Sequence, residues 1–244
     1  MSVFADLVER LADLLQPLFA ASATAAAIVV FTALVRLAVH PLSRAAARGQ
    51  KARARLAPQL AELREKHGRD RERLQKATME LYAQQKVSPF SGCLPSLLQL
   101  PAFFLMYHLF SNARIGGEPN GLLDHTLSAA PLGGRWTDAL SDGGVFGGAG
   151  LVYLVLFAVV AAVATFNYVR TKRQTAAAPA AGEQVPGMGP MLKVMPLLSF
   201  ATLITVAVVP LAAALYVVTS TTWSAVERVL LYRDMPAGAL ATAP

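Results

Sequence analysis

Residues 194–226 form an uncharged run of 33 residues with Pro210 near its middle. As one helix it would be about 50 Å long at about 1.5 Å per residue. The hydrocarbon core of a bilayer is about 30 Å thick. A proline inside a helix also removes a hydrogen bond and clashes with the preceding turn. The run therefore reads as two membrane spans, 191–209 and 211–231, joined by a tight hairpin; one strongly tilted helix is the rival. Three further runs are long enough to cross: Phe19–Val39, broken only by Arg36, and the uncharged Cys93–Phe110 and Ala149–Val169. Composition agrees. Charged residues make up 15% of the 244-residue chain and mean hydropathy is +0.45, whereas a soluble domain carries about 25% charge. The single cysteine excludes a disulfide framework and a Cys-rich metal site.

Basic residues near span ends stay on the cytoplasmic side. Segment 42–90 holds 12 Lys/Arg against five acids, 170–193 holds four, and Arg228 and Arg233 follow the last span. Those 18 face three on the other side: Arg10, Arg114 and Arg135. Five spans with this asymmetry place the N-terminus outside and the C-terminus in the cytoplasm. The expected fold class is all-α: a polytopic membrane protein with a five-helix transmembrane core and a cytoplasmic helical hairpin. The expected order is an outer interfacial amphipathic helix at 1–18, span 1 at 19–41, a basic hairpin at 42–90 and span 2 at 91–111. An outer loop at 112–148, span 3 at 149–169, a cytoplasmic loop at 170–190, spans 4 and 5, and a short tail at 232–244 follow.

Val3, Leu7, Leu11, Leu14, Leu15 and Leu18 recur at helical spacing, as in a helix lying in the interface or packed on the bundle. The net negative first 18 residues lack the basic start of a secretory signal. In the hairpin, Leu56, Leu60 and Leu63 line one face, Pro58 suits a first turn, and Gly68 is a helix stop. Leu74, Thr78, Leu81 and Gln85 line the second helix, with Met79 and Tyr82 beside them. Its charge suits anionic lipid, ribosomal RNA or plain solvation. The outer segment 111–150 carries ten of the 17 glycines and reads as a loop with little regular structure.

No nucleotide-binding loop, metal-ligand spacing or hydrolase motif occurs. Neither enzymatic chemistry nor a cofactor is therefore expected. The costly residue is Arg36: an arginine at mid-span costs about 2.5–3.5 kcal/mol on insertion scales. It lies about 7 Å inside Pro41 by helical rise, so it could snorkel to the headgroups. Alternatively it sits in a polar, water-filled hollow with Gln99, Thr165, Asn167, Thr219, Ser220 or Thr222, each of which could equally be a helix–helix hydrogen-bond partner. No acid lies in the first four spans, and Glu227 near the end of the fifth has no acidic mate. An unpaired cation in a hollow calls for a partner bringing negative charge.

Several motifs occur together. Val35-Arg36-Leu37 precedes His40-Pro41-Leu42; Pro58 precedes Leu60-Ala61-Glu62-Leu63-Arg64-Glu65-Lys66; Glu80-Leu81-Tyr82 lies in the second hairpin helix. Ser88-Pro89-Phe90-Ser91-Gly92-Cys93-Leu94-Pro95 leads to Gln99-Leu100-Pro101; the end carries Pro210, Leu215-Tyr216 and Leu231-Tyr232-Arg233. Over about 30–235 this combination resembles the YidC/Oxa/Alb family of membrane protein insertases, in a short five-span bacterial form. Ser88 stands where that family often has Asn, and the end of the third span lacks its usual Gln. The resemblance implies a groove open to cytoplasm and lipid and closed outside, with Arg36, Gln99, Asn167, Thr219 and Ser220 lining it. It implies a substrate slide on the second and fifth spans, with Leu98, Phe103, Leu215 and Val218. It implies nascent membrane proteins as clients, membrane lipids as surroundings, the ribosome, signal recognition particle pathway and Sec translocon as delivery partners, and no DNA. Arg36 would attract the acidic outer tail of a substrate, whose apolar burial drives insertion without nucleotide hydrolysis. A small anion transporter or channel is the alternative, and a passive foldase a third class.

Overall fold

The computed structural model describes residues 2–67, 70–85, 87, 104, 107–112, 114–115, 117–177 and 195–233. Most of the expected second span, including Leu98, Gln99 and Phe103, lies outside the described residues.

Helix α1, Ser2–Phe19, packs along α2, Ala23–Arg55. The chain reverses at Ala20, whose φ of 45° is left-handed, inside a short 3-10 turn at Ala20–Ser22. Two faces of α1 carry apolar residues. Val8 and Ala12 are buried against the bundle, while Leu7, Leu14 and Leu18 are exposed. The helix is thus attached to the bundle and still presents a leucine stripe outward.

Helix α2 does not stop at Pro41. It runs 33 residues to Arg55, with Pro41 inside it, so one backbone bond is given up at the proline and regained beyond it. The first part of the basic segment is therefore a continuation of the first long helix. The hairpin proper is α3, Ala57–His67, and α4, Arg71–Gln84. Asp70 caps α4 by accepting a hydrogen bond from Arg73 N–H at 3.0 Å, satisfying one of the free first-turn donors. Leu56, Leu60 and Tyr82 form a small buried cluster with Leu81 and Val87 packed on it.

The glycine-rich segment expected as the outer loop is more ordered than its composition indicates. Two two-residue hairpins, β1 (Arg114–Ile115) with β2 (Glu118–Pro119) and β3 (Thr126–Leu127) with β4 (Ala130–Pro131), pair antiparallel. Gly117 supplies the positive φ of the first turn. A short helix α5, Trp136–Gly143, follows. Ile115, Leu122, Ala130, Leu132 and Ala139 belong to the main core, so this segment is a cap whose apolar side chains hold it in place. Asn120, 5% exposed, donates from Nδ2 to Leu109 O at 2.8 Å and Asn112 O at 2.9 Å, and its Oδ1 accepts from Leu122 N–H.

Helix α6, Gly148–Ala177, packs on α5 through Trp136, whose ring meets Phe157 edge-on at 5.2 Å and Tyr153 at 5.6 Å. After a 3-10 turn at Met195–Phe200, α7 (Ala201–Val208) and α8 (Leu211–Leu231) flank Pro210. Pro210 has extended backbone, with ψ of 152°, and ends one helix before the next begins. The freed first-turn donors of α8 are taken by the outer cap: Leu211 N–H donates to Gly134 O at 2.8 Å and Ala212 N–H to Leu132 O at 2.9 Å. Tyr153 O–H donates to the same Gly134 carbonyl at 2.7 Å.

By length and composition, two stretches are long and apolar enough to cross a membrane among the described residues, Asp6–Ala52 and Gly148–Arg173; Pro196–Val208 is shorter. In α8, five hydroxyl residues between Thr219 and Ser224, with Glu227 and Arg228 beyond, dilute an otherwise apolar helix.

Candidate functional site

Helices α2 and α8 pack side by side. On α2, Thr32, Arg36 and His40 are spaced by four and share one face; on α8, Ser220, Ser224 and Glu227 are spaced by four and three. The two rows meet rung by rung.

The central rung is Arg36. One terminal nitrogen, Nη2, lies 2.7 Å from Ser220 O, 2.8 Å from Ser220 Oγ and 2.6 Å from Ser224 Oγ. Ser224 O–H in turn donates to Ser220 O at 3.0 Å. The guanidinium therefore turns sideways into α8. By helical rise Arg36 is about 20 Å from the start of α2 at Ala23. Hydroxyl and carbonyl dipoles solvate the cation there, which lowers the cost of holding it away from bulk water.

One turn further on, His40 Nδ1 and Glu227 Oε1 are 2.6 Å apart, with side chains 30% and 12% exposed. Glu227 also attracts Arg36 electrostatically. This corrects the expectation that no protein acid acts on Arg36. One turn before Arg36, Thr32 is 1% exposed and donates its hydroxyl back to Ile28 O at 2.7 Å. The polar column thus ends in apolar packing on that side.

Burial along α8 follows the same gradient. Every residue from Leu211 to Val218 is buried, Thr219 and the residues from Thr221 to Ser224 are half-buried, and Val226, Val229 and Leu230 are exposed. Of the expected groove residues, Ser220 meets Arg36 directly and Thr219 is half-buried next to it in sequence. Asn167 is a long 3.5 Å from Arg228 Nη1, at the far end of α6. Thr165 is exposed, and the Thr222 hydroxyl is buried with no hydrogen-bond partner among the described residues. Leu215 and Val218, expected on the slide, are 6% and 8% exposed and belong to the main core. Ser224 and the His40–Glu227 pair were not singled out by sequence as site residues. The matched four-residue spacings on the two helices are the signal that would have found them. Among the described residues, no three His, Cys, Asp or Glu side chains gather to hold a metal ion.

The family model for the 60Kd inner membrane protein matches residues 15–238. The chain belongs to that family. This is the YidC/Oxa group to which the motifs pointed. Among curated relatives of the family, the Membrane protein insertase YidC of Xanthomonas campestris pv. campestris (strain 8004) is 46% identical over 81 residues, 33% of this chain and 14% of the relative. The insertase YidC of Anaeromyxobacter sp. (strain Fw109-5) is 44% identical over 81 residues, 33% of this chain and 15% of the relative. That of Laribacter hongkongensis is 46% identical over 103 residues, 42% of this chain and 19% of the relative. The matched stretches of this 60Kd-family chain thus span less than a fifth of the relatives' length.

Proposed function

We propose that this chain is a membrane protein insertase and chaperone, not an enzyme, working through a hydrophilic groove that contains the cationic Arg36. The observation that carries it is Arg36 Nη2 held at 2.6–2.8 Å by Ser220 and Ser224, where α8 passes from a fully buried first half to a more exposed second half. Family membership and the insertase relatives support the same conclusion.

Moving the polar flank of a client across hydrocarbon is expensive because bare backbone and charge lose their hydrogen bonds there. A groove that reaches part-way shortens the dry path. Arg36, held by hydroxyl and carbonyl oxygens with the Glu227 carboxylate near it, is the cationic point of the groove and attracts an acidic tail entering from the cytoplasm. Burial of the client's roughly 20 apolar residues in lipid then drives insertion, with no nucleotide hydrolysed. Five spans, with the N-terminus outside and the C-terminus cytoplasmic, place the packed end of α8 at the outer face. The slide of Leu98, Phe103, Leu215 and Val218 follows as part of this proposal. Since Leu215 and Val218 are buried in this state, a client meets them only as α8 moves away from its neighbours. Nascent membrane proteins are the clients; the ribosome, signal recognition particle pathway and Sec translocon deliver them to the basic hairpin.

The test is complementation of cells depleted of their own insertase, with protease protection of a client's acidic outer tail as the readout. Arg36→Glu abolishes protection and Arg36→Lys retains part of it. Full activity of Arg36→Glu overturns charge capture. Transport of a labelled anion by purified protein in liposomes, with no effect on tails, replaces the insertase with an anion channel.

A further inference from the structure

Where α6 and α8 leave the apolar region, two guanidinium groups come together. Arg170 is the first charged residue after the uncharged run 149–169, and Arg228 stands two residues beyond the run 194–226. Each repels the other electrostatically. Neither has a carboxylate within ion-pair distance among the described residues. Arg170 lies over the Tyr232 ring, its guanidinium carbon 5.9 Å from the ring centre, and Arg228 Nη1 is 3.5 Å from the Asn167 amide oxygen. Two like charges within electrostatic reach, with no carboxylate at ion-pair distance among the described residues, favour an anion that joins them.

The neighbouring residues say what kind of anion. Phe166 and Val169 on α6, and Val226 on α8, are large, apolar and exposed. Each precedes the arginine of its own helix, inside or at the end of the uncharged run, and Phe166 shares the face of Arg170 one turn before it. A phosphate at the guanidinium pair would therefore carry its chains over an apolar wall. Guanidinium is well suited to phosphate, which it binds through paired N–H donors, and basic pockets between spanning helices on the cytoplasmic side suit anionic headgroups. We propose that Arg170, Arg228 and the Tyr232 ring form a headgroup site for an anionic phospholipid, with the acyl chains lying along the exposed apolar residues of α6 and α8. The site lies outside the Arg36 column and shares with the insertase proposal only its membrane orientation.

The experiment uses the full chain purified in neutral detergent and titrated with short-chain phosphatidylglycerol, short-chain phosphatidylcholine or inorganic phosphate, with bound lipid counted by native mass spectrometry. The wild type retains phosphatidylglycerol in preference to phosphatidylcholine, and inorganic phosphate does not displace it at equal concentration. Arg170→Gln with Arg228→Gln lowers phosphatidylglycerol affinity about tenfold, as the loss of charge-assisted phosphate contacts predicts. Arg228→Gln alone, at an exposed side chain, gives a smaller drop and keeps the test valid if the double variant does not fold. Arg173→Gln, nearby on α6 and also exposed, leaves affinity unchanged. Equal retention of both lipids, unchanged affinity in the double and single variants, or displacement by inorganic phosphate alone overturns the site. No arm reads insertion, so failure here and failure of the groove are separable.

Discussion

His40 and Glu227 are joined at 2.6 Å one turn beyond Arg36 and Ser224, so α2 and α8 are clasped by two successive polar rungs on one pair of faces. A helix pair held by a few polar bonds in a low-dielectric setting depends on each of them more than an apolar seam does. Replacing Glu227 by Ala leaves His40 without its acceptor and removes the negative charge acting on Arg36. The expected cost is about 1–3 kcal/mol, a fall in Tm of about 2–12 °C for a chain of this size. Thermal unfolding in detergent measures it, and Glu227→Gln, which keeps an acceptor oxygen, loses less. A Tm unchanged in Glu227→Ala means the rung holds nothing.

Arg36 and Ser224 form a pair that a double-mutant cycle resolves. Ser224→Ala removes one acceptor but leaves Ser220 O and Ser220 Oγ in place. Arg36→Ala followed by Ser224→Ala therefore costs less than the two separate changes added, with a coupling of about 0.5–3 kcal/mol. Strict additivity in denaturation, by tryptophan fluorescence, shows that the hydroxyl and the guanidinium do not act together.

Sequence and structure agree most where a residue is chemically extreme. Arg36 stands out in an apolar run, and Pro210 divides a stretch too long for one helix; both are legible from one strand of text. Ser224 and His40 are ordinary residues until α2 and α8 are laid side by side, because their meaning lies in a match between two helices 187 residues apart for the His40–Glu227 pair. Pro41 misled for a different reason. A proline's local cost ends many helices, but in α2 the packing of the turns on either side outweighs one missing bond. The outer cap was hidden by glycine content, since its order comes from a handful of buried side chains and carbonyls rather than from any periodic pattern.

Asn120 is the keystone of that cap. Asn120→Ala removes two donors and one acceptor from a 5% exposed site and leaves Leu109 O and Asn112 O needing new partners. The expected loss is about 2–4 kcal/mol. Hydrogen exchange shows it as faster exchange at Leu122 and across 114–131, with the α3–α4 hairpin unaffected. Unchanged exchange at Leu122 contradicts the role.

Tyr82 plays the corresponding part in the hairpin. It is 8% exposed in a cluster whose other buried members among the described residues are Leu56 and Leu60. With so little else to bury, Tyr82→Ala costs about 3–5 kcal/mol locally and frees α3 from α4. Limited proteolysis then cuts within 57–84 while α2 and α6 stay intact. Resistance equal to the wild type argues against a hairpin held by this cluster.

The two carbonyls at Leu132 and Gly134 that receive the backbone of Leu211 and Ala212 fix where α8 can pivot. A rod pinned by backbone bonds at one tip and clasped further along by side chains is freest at its other end, like a door on its jamb: any widening is least at Leu211 and greatest toward Leu231. In the proposed orientation, an entrant would come from the cytoplasmic leaflet first, while the seal at the Leu211 end holds.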